Sequence, residues 1–137
     1  MNGKRGSNEQ KGSQYGFQLK GVKSMETPWG ESDSEHVHYR GTRGEVVFYT
    51  TPSHGGFRVT GEFAKEIPEA FKLQSFCGQG VDGWYEEDCD CVIPIYFLSR
   101  YGWFDNKQVQ MAEKMCKAQY PEAWAYHELA LKAKELI

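Results

Sequence analysis

Two short segments carry the residues whose chemistry is easiest to name, and the first is a histidine beside small residues. Ser53 and His54 directly precede the glycine pair Gly55 and Gly56. An imidazole titrates near neutral pH and can accept a proton, donate one or bind a metal, and glycines let a ligand approach the backbone closely. The alternative interpretation is a structural turn, in which the glycines supply positive φ and His54 caps the local backbone.

The second segment is acidic and lies within residues 73–99, which contain no Lys or Arg. Its catalytic candidates are Glu86, Glu87 and Asp88. Combined with His54, these carboxylates predict either a general acid/base pair or a set of nitrogen and oxygen ligands for a divalent metal. Ser53 or a bound water is the predicted nucleophile.

The local structure of the acidic segment decides which carboxylates meet. Residues 86–91 favour a helix because acidic side chains suit a helix N-terminus, whereas Pro94 and its β-branched neighbours favour an extended chain beyond residue 91. On a helix only neighbours three or four apart converge, so the pairs are Glu86 with Asp90 or Glu87 with Asp90. The alternative interpretation is a solvated acidic helix start.

The cysteines allow one further metal hypothesis. The four are Cys77, Cys89, Cys91 and Cys116, and we expect reduced thiols, as is usual in the cytoplasm. Cys89 and Cys91 are two residues apart, as are His36 and His38, so strand geometry would allow a Cys2His2 zinc site. The alternative is that the thiols are small buried side chains. The sequence itself names no metal and no cofactor.

Aromatic residues beside these groups predict a surface that binds a ligand or a partner. Trp84 and Tyr85 adjoin the carboxylates, and Trp29 stands between Pro28 and Gly30 in a polar loop. The full set of predicted binding residues is Trp29, Ser53, Gly55, Gly56, Trp84, Tyr85 and Asp90.

The sequence patterns of the strands and helices that must position these residues predict an α+β fold. In this fold a small antiparallel sheet packs against C-terminal helices. Strands are expected at 36–40, 45–51 and 57–60, and helices at 62–66, 69–72, 107–119 and 122–136. Thr60 and Asp105 are the predicted helix caps, and Pro121 suits a first helical position.

Charge divides the chain into two parts. Residues 1–23 carry five Lys or Arg against Glu9, a net charge of +4, so residues 24–137 carry −7 of the total of −3. We predict that residues 1–23 are a flexible basic tail and that residues 24–137 are a single α+β domain. The negative charge of this domain disfavours binding to nucleic acid. No apolar run is long enough to span a membrane or to form a secretory signal, which predicts a cytoplasmic protein.

Three motifs together resemble one known family. TPWG at 27–30, SHGG at 53–56 and WYEEDCD at 84–90 occur in the order seen in DUF7007, a bacterial, phage and plasmid domain family of unknown function. The resemblance spans about residues 26–125. It implies a phage or mobile-element setting and no particular activity.

Three functions are consistent with these observations. The first is an accessory protein that inhibits or adapts a host defence or nucleic-acid-handling protein through an acidic, aromatic surface. The second is a small metal-dependent or acid/base hydrolase that uses His54 and the carboxylates of residues 86–88. The third is a binding module whose pocket holds Trp29, Trp84, Tyr85 and His54. Neither the partner nor the oligomeric state follows from the sequence.

Overall fold

The computed structural model describes residues 24–75 and 83–136. The tail predicted for residues 1–23 and the thiol of Cys77 lie outside these ranges. Four strands form one antiparallel sheet in the order β3, β4, β5, β6, and two very short strands, β1 and β2, form a separate hairpin before it. The strands are β1 Glu26–Thr27, β2 Gly30–Glu31, β3 Ser34–Gly41, β4 Gly44–Thr50, β5 Gly55–Val59 and β6 Trp84–Glu86.

The helices follow local signals in the sequence. They are α1 Glu62–Lys65, α2 Glu69–Gln74, α3 Val92–Phe97, α4 Asn106–Gln119 and α5 Pro121–Glu135. Asp105 and Gln108 form a capping box at the start of α4, each side chain accepting a hydrogen bond from the other residue's backbone N–H. Pro121 begins α5, where its missing N–H costs no helical hydrogen bond. None of these helices has the length and apolar character needed to cross a membrane.

The sheet is covered on both faces. Val46 and Val47 are adjacent in β4, so their side chains point to opposite faces, and both are fully buried. One face packs against apolar residues of the helices, including Phe63, Ile93 and Trp124. The α+β prediction, with the sheet packed against C-terminal helices, is therefore confirmed.

The second face has a smaller cover. Val47, Tyr49 and Trp84 form a separate buried cluster there, and the partly buried side chains of Met25 and Trp29 pack against it. Trp29 stands in the turn between β1 and β2, so this short hairpin closes the second face.

The helix expected for residues 86–91 is wrong, and so is the extended chain beyond it. Glu86 is the last residue of β6, paired across the sheet with Gly56, and a turn then leads into α3 at Val92. Pro94 lies in the first turn of α3, where the fold tolerates its missing N–H. Pairing with a neighbouring strand outweighed the helix preference of the acidic residues, which is an effect of tertiary context.

The cap predicted for α1 is also wrong. Thr60 Oγ1 accepts a hydrogen bond from the backbone N–H of Glu45 at 3.0 Å, so the hydroxyl ties β4 to the end of β5. Gly61 takes the N-cap position without a side-chain hydrogen bond.

Candidate functional site

Three potential ligand side chains converge at one end of the sheet. His54, Glu86 and Asp88 each offer one ligand atom, and these atoms all lie within 4.8 Å of one another. Nδ1 of His54 is 3.6 Å from Oε2 of Glu86. The His54 side chain is 46% exposed and that of Glu86 17% exposed, while Asp88 is exposed. The cluster is therefore open to solvent and has a partly buried floor at Glu86.

Thr51 fixes the turn that carries His54. The buried Thr51 hydroxyl accepts a hydrogen bond from His54 N at 3.0 Å and donates one to His54 O at 2.8 Å. The backbone N–H of Thr51 donates to the same carbonyl at 2.7 Å. These three bonds hold the His54 backbone between β4 and β5. Ser53 is exposed in the same turn.

Strand pairing and a tight turn fix the two carboxylates. The backbone N–H of Glu87 donates to Gly55 O at 2.9 Å, and that of Cys91 donates to Glu86 O at 2.9 Å. The first bond extends the β5–β6 pairing, and the second closes the turn that contains Asp88. Backbone N–H groups of Asp88 and Cys89 also donate to the Glu86 carboxylate. Both carboxylates are thus anchored to the strand that follows His54.

The carboxylates of Glu86 and Asp88 interact unfavourably when both are ionised. They lie within hydrogen-bonding reach of each other, and the pKa of Glu86 is raised, first by burial and then by the charge of Asp88. Two neighbouring carboxylates are stabilised by a shared proton or by a cation between them.

Gly55 and Gly56 serve a purpose that differs from the predicted turn. Both belong to β5, and neither is among the glycines with positive φ. A Cβ on Gly56 would lie 2.4 Å from the Trp29 ring and 2.5 Å from the Tyr85 carbonyl oxygen. The absent side chain therefore lets Trp29 pack directly on the strand. Trp29 thus packs at the strand position that is paired with Glu86.

Two of the predicted surface aromatics are part of the core. Trp84 is 7% exposed and Tyr85 is 3% exposed, on opposite faces of β6. Trp84 contacts Tyr49 and Trp29, with 5.7 Å between ring centroids in each pair. The exposed aromatic surface expected from these two residues is therefore wrong, because strand alternation buries both side chains. Trp29 alone of the three predicted aromatics is only half-buried.

Asp90 does not pair with Glu86 or Glu87 as a helix would require. Its side chain is 3% exposed and accepts a hydrogen bond from the Tyr120 hydroxyl at the junction of α4 and α5. Burial, together with this carboxylate, raises the pKa of Tyr120. Asp90 is thus a buried structural residue, and its predicted place on a binding surface is wrong. Glu87 lies outside the convergent group, although its backbone holds the turn.

The strand geometry that predicted a zinc site holds for His36 and His38, which lie in β3 with 4.6 Å between their ring centroids, but not for the two cysteines. Cys89 and Cys91 lie in the turn before α3, and the Cys91 thiol donates to Glu87 O. Burial raises the pKa of Cys91 to about 11, which disfavours the thiolate. His38 lies instead among the rings of Phe57, Trp103 and Phe104. Among residues 24–75 and 83–136, the convergent metal-ligand group is His54, Glu86 and Asp88.

Sequence reasoning overlooked Thr51 and the packing of Trp29 on Gly56. The signal for Thr51 was present, because a Thr hydroxyl commonly bonds the backbone two or three residues on. No local pattern could reveal the contact of Trp29 with Gly56, because the two residues meet only after the hairpin folds over the sheet.

The fold and the cluster define a small α+β domain with a solvent-open histidine–carboxylate group at one end of its sheet. A family model described as "Domain of unknown function (DUF7007)" matches residues 22–136, and the chain belongs to this family. The resemblance of the three sequence motifs is thereby confirmed. No curated protein and no solved structure matches the chain. Function must therefore be argued from the site itself.

Proposed function

We propose that this domain is a small hydrolase whose reaction centre is formed by His54, Glu86 and Asp88. The observation that carries the proposal is their convergence from two separate segments onto one solvent-open point. Hydrolysis needs an activated water and a group that receives its proton, and an imidazole beside carboxylates supplies both functions.

The roles follow from position. Glu86 lies closest to the imidazole and is the more buried carboxylate, so it orients His54. Asp88 is exposed and lies on the side from which water and substrate arrive. Trp29, packed at the strand position paired with Glu86, offers an apolar surface against which a substrate can be placed. The scissile group is a carbonyl or phosphoryl centre, because both are attacked by activated water.

The test is an activity screen with matched variants. Purified protein would be assayed against chromogenic carboxylic esters, phosphodiesters and a peptide library, alongside His54→Ala and His36→Ala. His36 is an exposed histidine in β3 and serves as the control. We expect His54→Ala to lower the rate on the active substrate by about 100-fold or more, and His36→Ala to leave it unchanged. No turnover of any class, or equal loss in both variants, would contradict the proposal.

A second candidate is interaction with a host protein, the role predicted first from the sequence, and one specific feature favours it. Apolar side chains lie exposed along α5 and at its C-terminal end, namely Tyr126, Leu129, Leu131 and Leu136. Tyr126 and Leu129 are three residues apart and share one side of the helix, and exposed apolar side chains grouped in this way are typical of a helix that packs against a partner. The partner is a protein in preference to nucleic acid, because residues 24–137 carry a charge of −7. We place both candidate activities in the cytoplasm of a bacterial host.

Site-directed capture separates the two candidates. Affinity capture from host lysate would use the wild-type protein, Leu129→Lys and His54→Ala. A partner retained by wild type and His54→Ala but lost by Leu129→Lys supports the interaction role. A partner retained equally by all three, or no partner at all, counts against the α5 surface.

A further inference from the structure

We infer that His54, Glu86 and Asp88 form a binding site for one divalent transition-metal ion. The three donors are one imidazole nitrogen and two carboxylate oxygens, and they come from two segments that only the folded sheet brings together. The inference rests on the proposed function for its chemistry, but its test requires only binding.

The distances suit a site that closes on its ion. Metal–ligand bonds of about 2.1 Å place neighbouring ligand atoms about 3 Å apart. The observed separations are 3.6 Å between His54 Nδ1 and Glu86 Oε2, and up to 4.8 Å across the group. His54 and Asp88 are exposed, so their side chains have room to rotate toward a shared ion.

The backbone is already arranged for binding. Thr51 holds the turn before β5, and the hydrogen bond from Glu87 to Gly55 ties the acidic turn to the same strand. Because the ligands sit on paired strands and a closed turn, little conformational entropy is lost when an ion binds.

The charge at the site also favours a cation. In the described parts of the chain, no Lys or Arg forms an ion pair with Glu86 or Asp88. The sequence from residue 73 to 99 contains neither residue type. The two adjacent carboxylates thus have the His54 imidazole beside them but no paired Lys or Arg, and a divalent ion would supply positive charge there.

The donor set selects the class of metal. Ca²⁺ takes six to eight oxygen ligands, and Mg²⁺ keeps mostly water and oxygen, so neither gains from an imidazole. Imidazole with carboxylates suits Mn²⁺, Fe²⁺ and Zn²⁺. Three protein ligands leave the solvent side open for water, which is the arrangement of catalytic sites. An ion held there would supply Lewis acidity, which lowers the pKa of a water bound to it.

The experiment uses Mn²⁺ as the probe with the full chain. Calorimetry measures stoichiometry and affinity, and pulsed electron paramagnetic resonance detects the nitrogen of a coordinated imidazole. The variants are His54→Ala and Asp88→Asn. Their controls are His36→Ala, a second exposed histidine, and Glu128→Gln, which neutralises an exposed carboxylate elsewhere. Circular dichroism confirms that each variant is folded.

We expect one Mn²⁺ per chain with a nitrogen signal in the wild type and in both controls. His54→Ala should lose the nitrogen signal, and His54→Ala and Asp88→Asn should each weaken binding by about tenfold or more. Absence of stoichiometric binding, or a nitrogen signal that persists in His54→Ala, overturns the inference.

The same samples separate this inference from the proposed function. If Mn²⁺ binds as expected but no substrate is hydrolysed, the metal site stands and the hydrolase proposal fails. If hydrolysis depends on His54 and continues in excess chelator, while Mn²⁺ does not bind stoichiometrically, the hydrolase proposal stands through acid/base chemistry and the metal site is refuted.

Discussion

Glu66 and Glu86 are both partly buried carboxylates, yet their surroundings are opposite. Arg100 donates two hydrogen bonds to Glu66, at 3.1 and 3.0 Å, and the Tyr101 hydroxyl donates a third. Although burial alone would raise it, these donors hold the pKa of Glu66 below its ordinary value. Burial and the neighbouring Asp88 instead raise the pKa of Glu86.

The difference separates a structural carboxylate from one arranged to bind a ligand. Glu66 has its donors within the protein, so its charge is already stabilised and a ligand would gain nothing there. Glu86 also accepts hydrogen bonds from the backbone N–H groups of Asp88 and Cys89, but burial and the second carboxylate outweigh them, and a bound cation would relieve the repulsion between the two carboxylates. Perturbed carboxylates of this second kind are typical of functional sites.

The largest expected effect comes from disturbing the strand that supports the Glu86 cluster. Gly56→Ala places a methyl group 2.5 Å from the Tyr85 carbonyl oxygen and 2.4 Å from the Trp29 ring. Because a strand backbone cannot yield without losing its pairing, we expect a loss of about 3 kcal/mol in the free energy of unfolding. Urea denaturation measures it.

Gly41→Ala is the matched control for that substitution. Its added methyl group would meet only the outer end of the Tyr39 side chain, at 2.9 Å, and that end can move. We expect a change below about 1 kcal/mol, within the usual range for exposed sites. Equal destabilisation by the two substitutions would show that Gly56 has no special role.

Asp90 is a third carboxylate that extends the comparison between structural and ligand-binding carboxylates. It lies two residues from Asp88, yet its role is structural. Tyr120→Phe removes a hydrogen bond to a buried carboxylate. We expect a loss of about 2 kcal/mol in unfolding free energy, with metal affinity unchanged. Tyr96→Phe is the control. The Tyr96 hydroxyl lies 3.4 Å from His127 Nε2, which is a long distance for a hydrogen bond, so the contact is weak. A loss of metal binding in Tyr120→Phe would contradict the separation of roles.

Neutralising each of the two glutamates tests the comparison directly. Glu66→Gln removes the negative charge and replaces one of the two accepting oxygens by an amide NH2, and it should destabilise the fold by about 1 kcal/mol, since the exposed ion pair adds little. Glu86→Gln removes a like-charge contact and should leave stability in metal-free buffer unchanged or raised. Thermal unfolding of both variants in chelator measures the two changes. A fall in stability for Glu86→Gln equal to that for Glu66→Gln would remove the distinction.

The smallest expected effect concerns His38, a half-buried histidine that contrasts with the exposed His54. Burial, followed by the charge of His36, lowers the pKa of His38 to about 4. Between the ordinary value of 6.5 and about 4, the unfolded chain binds more protons than the folded one, so stability falls as pH falls through this window. His38→Phe should flatten that slope modestly, as measured by urea midpoints across the window. An unchanged slope would show that His38 does not titrate in this way.

Strong local signals made most of the fold predictable. β4 has a β-branched and aromatic run, Asp105 caps α4, and Pro121 begins α5, and the side chains of both residues suit those positions in any context. The segment after residue 86 was different, because its local preference for a helix start competed with pairing to β5. Only the folded sheet decides that competition.

The site was partly predictable for the same reason. Residue types alone indicated that His54 and the acidic segment belong together. Which carboxylates converge depends on the strand and turn geometry, which directs Glu86 and Asp88 to one point and leaves Glu87 aside. The burial of Trp84 and Tyr85 followed from strand alternation across a sheet covered on both faces, and the sequence gives no sign of the second cover.

The most direct test of this account is an anomalous X-ray difference map from crystals grown with Mn²⁺ or Zn²⁺. We predict one strong peak, within coordination distance of His54 Nδ1 and of carboxylate oxygens of Glu86 and Asp88. A map without a peak at this cluster, or with the ion held instead by His36, would contradict the central claim.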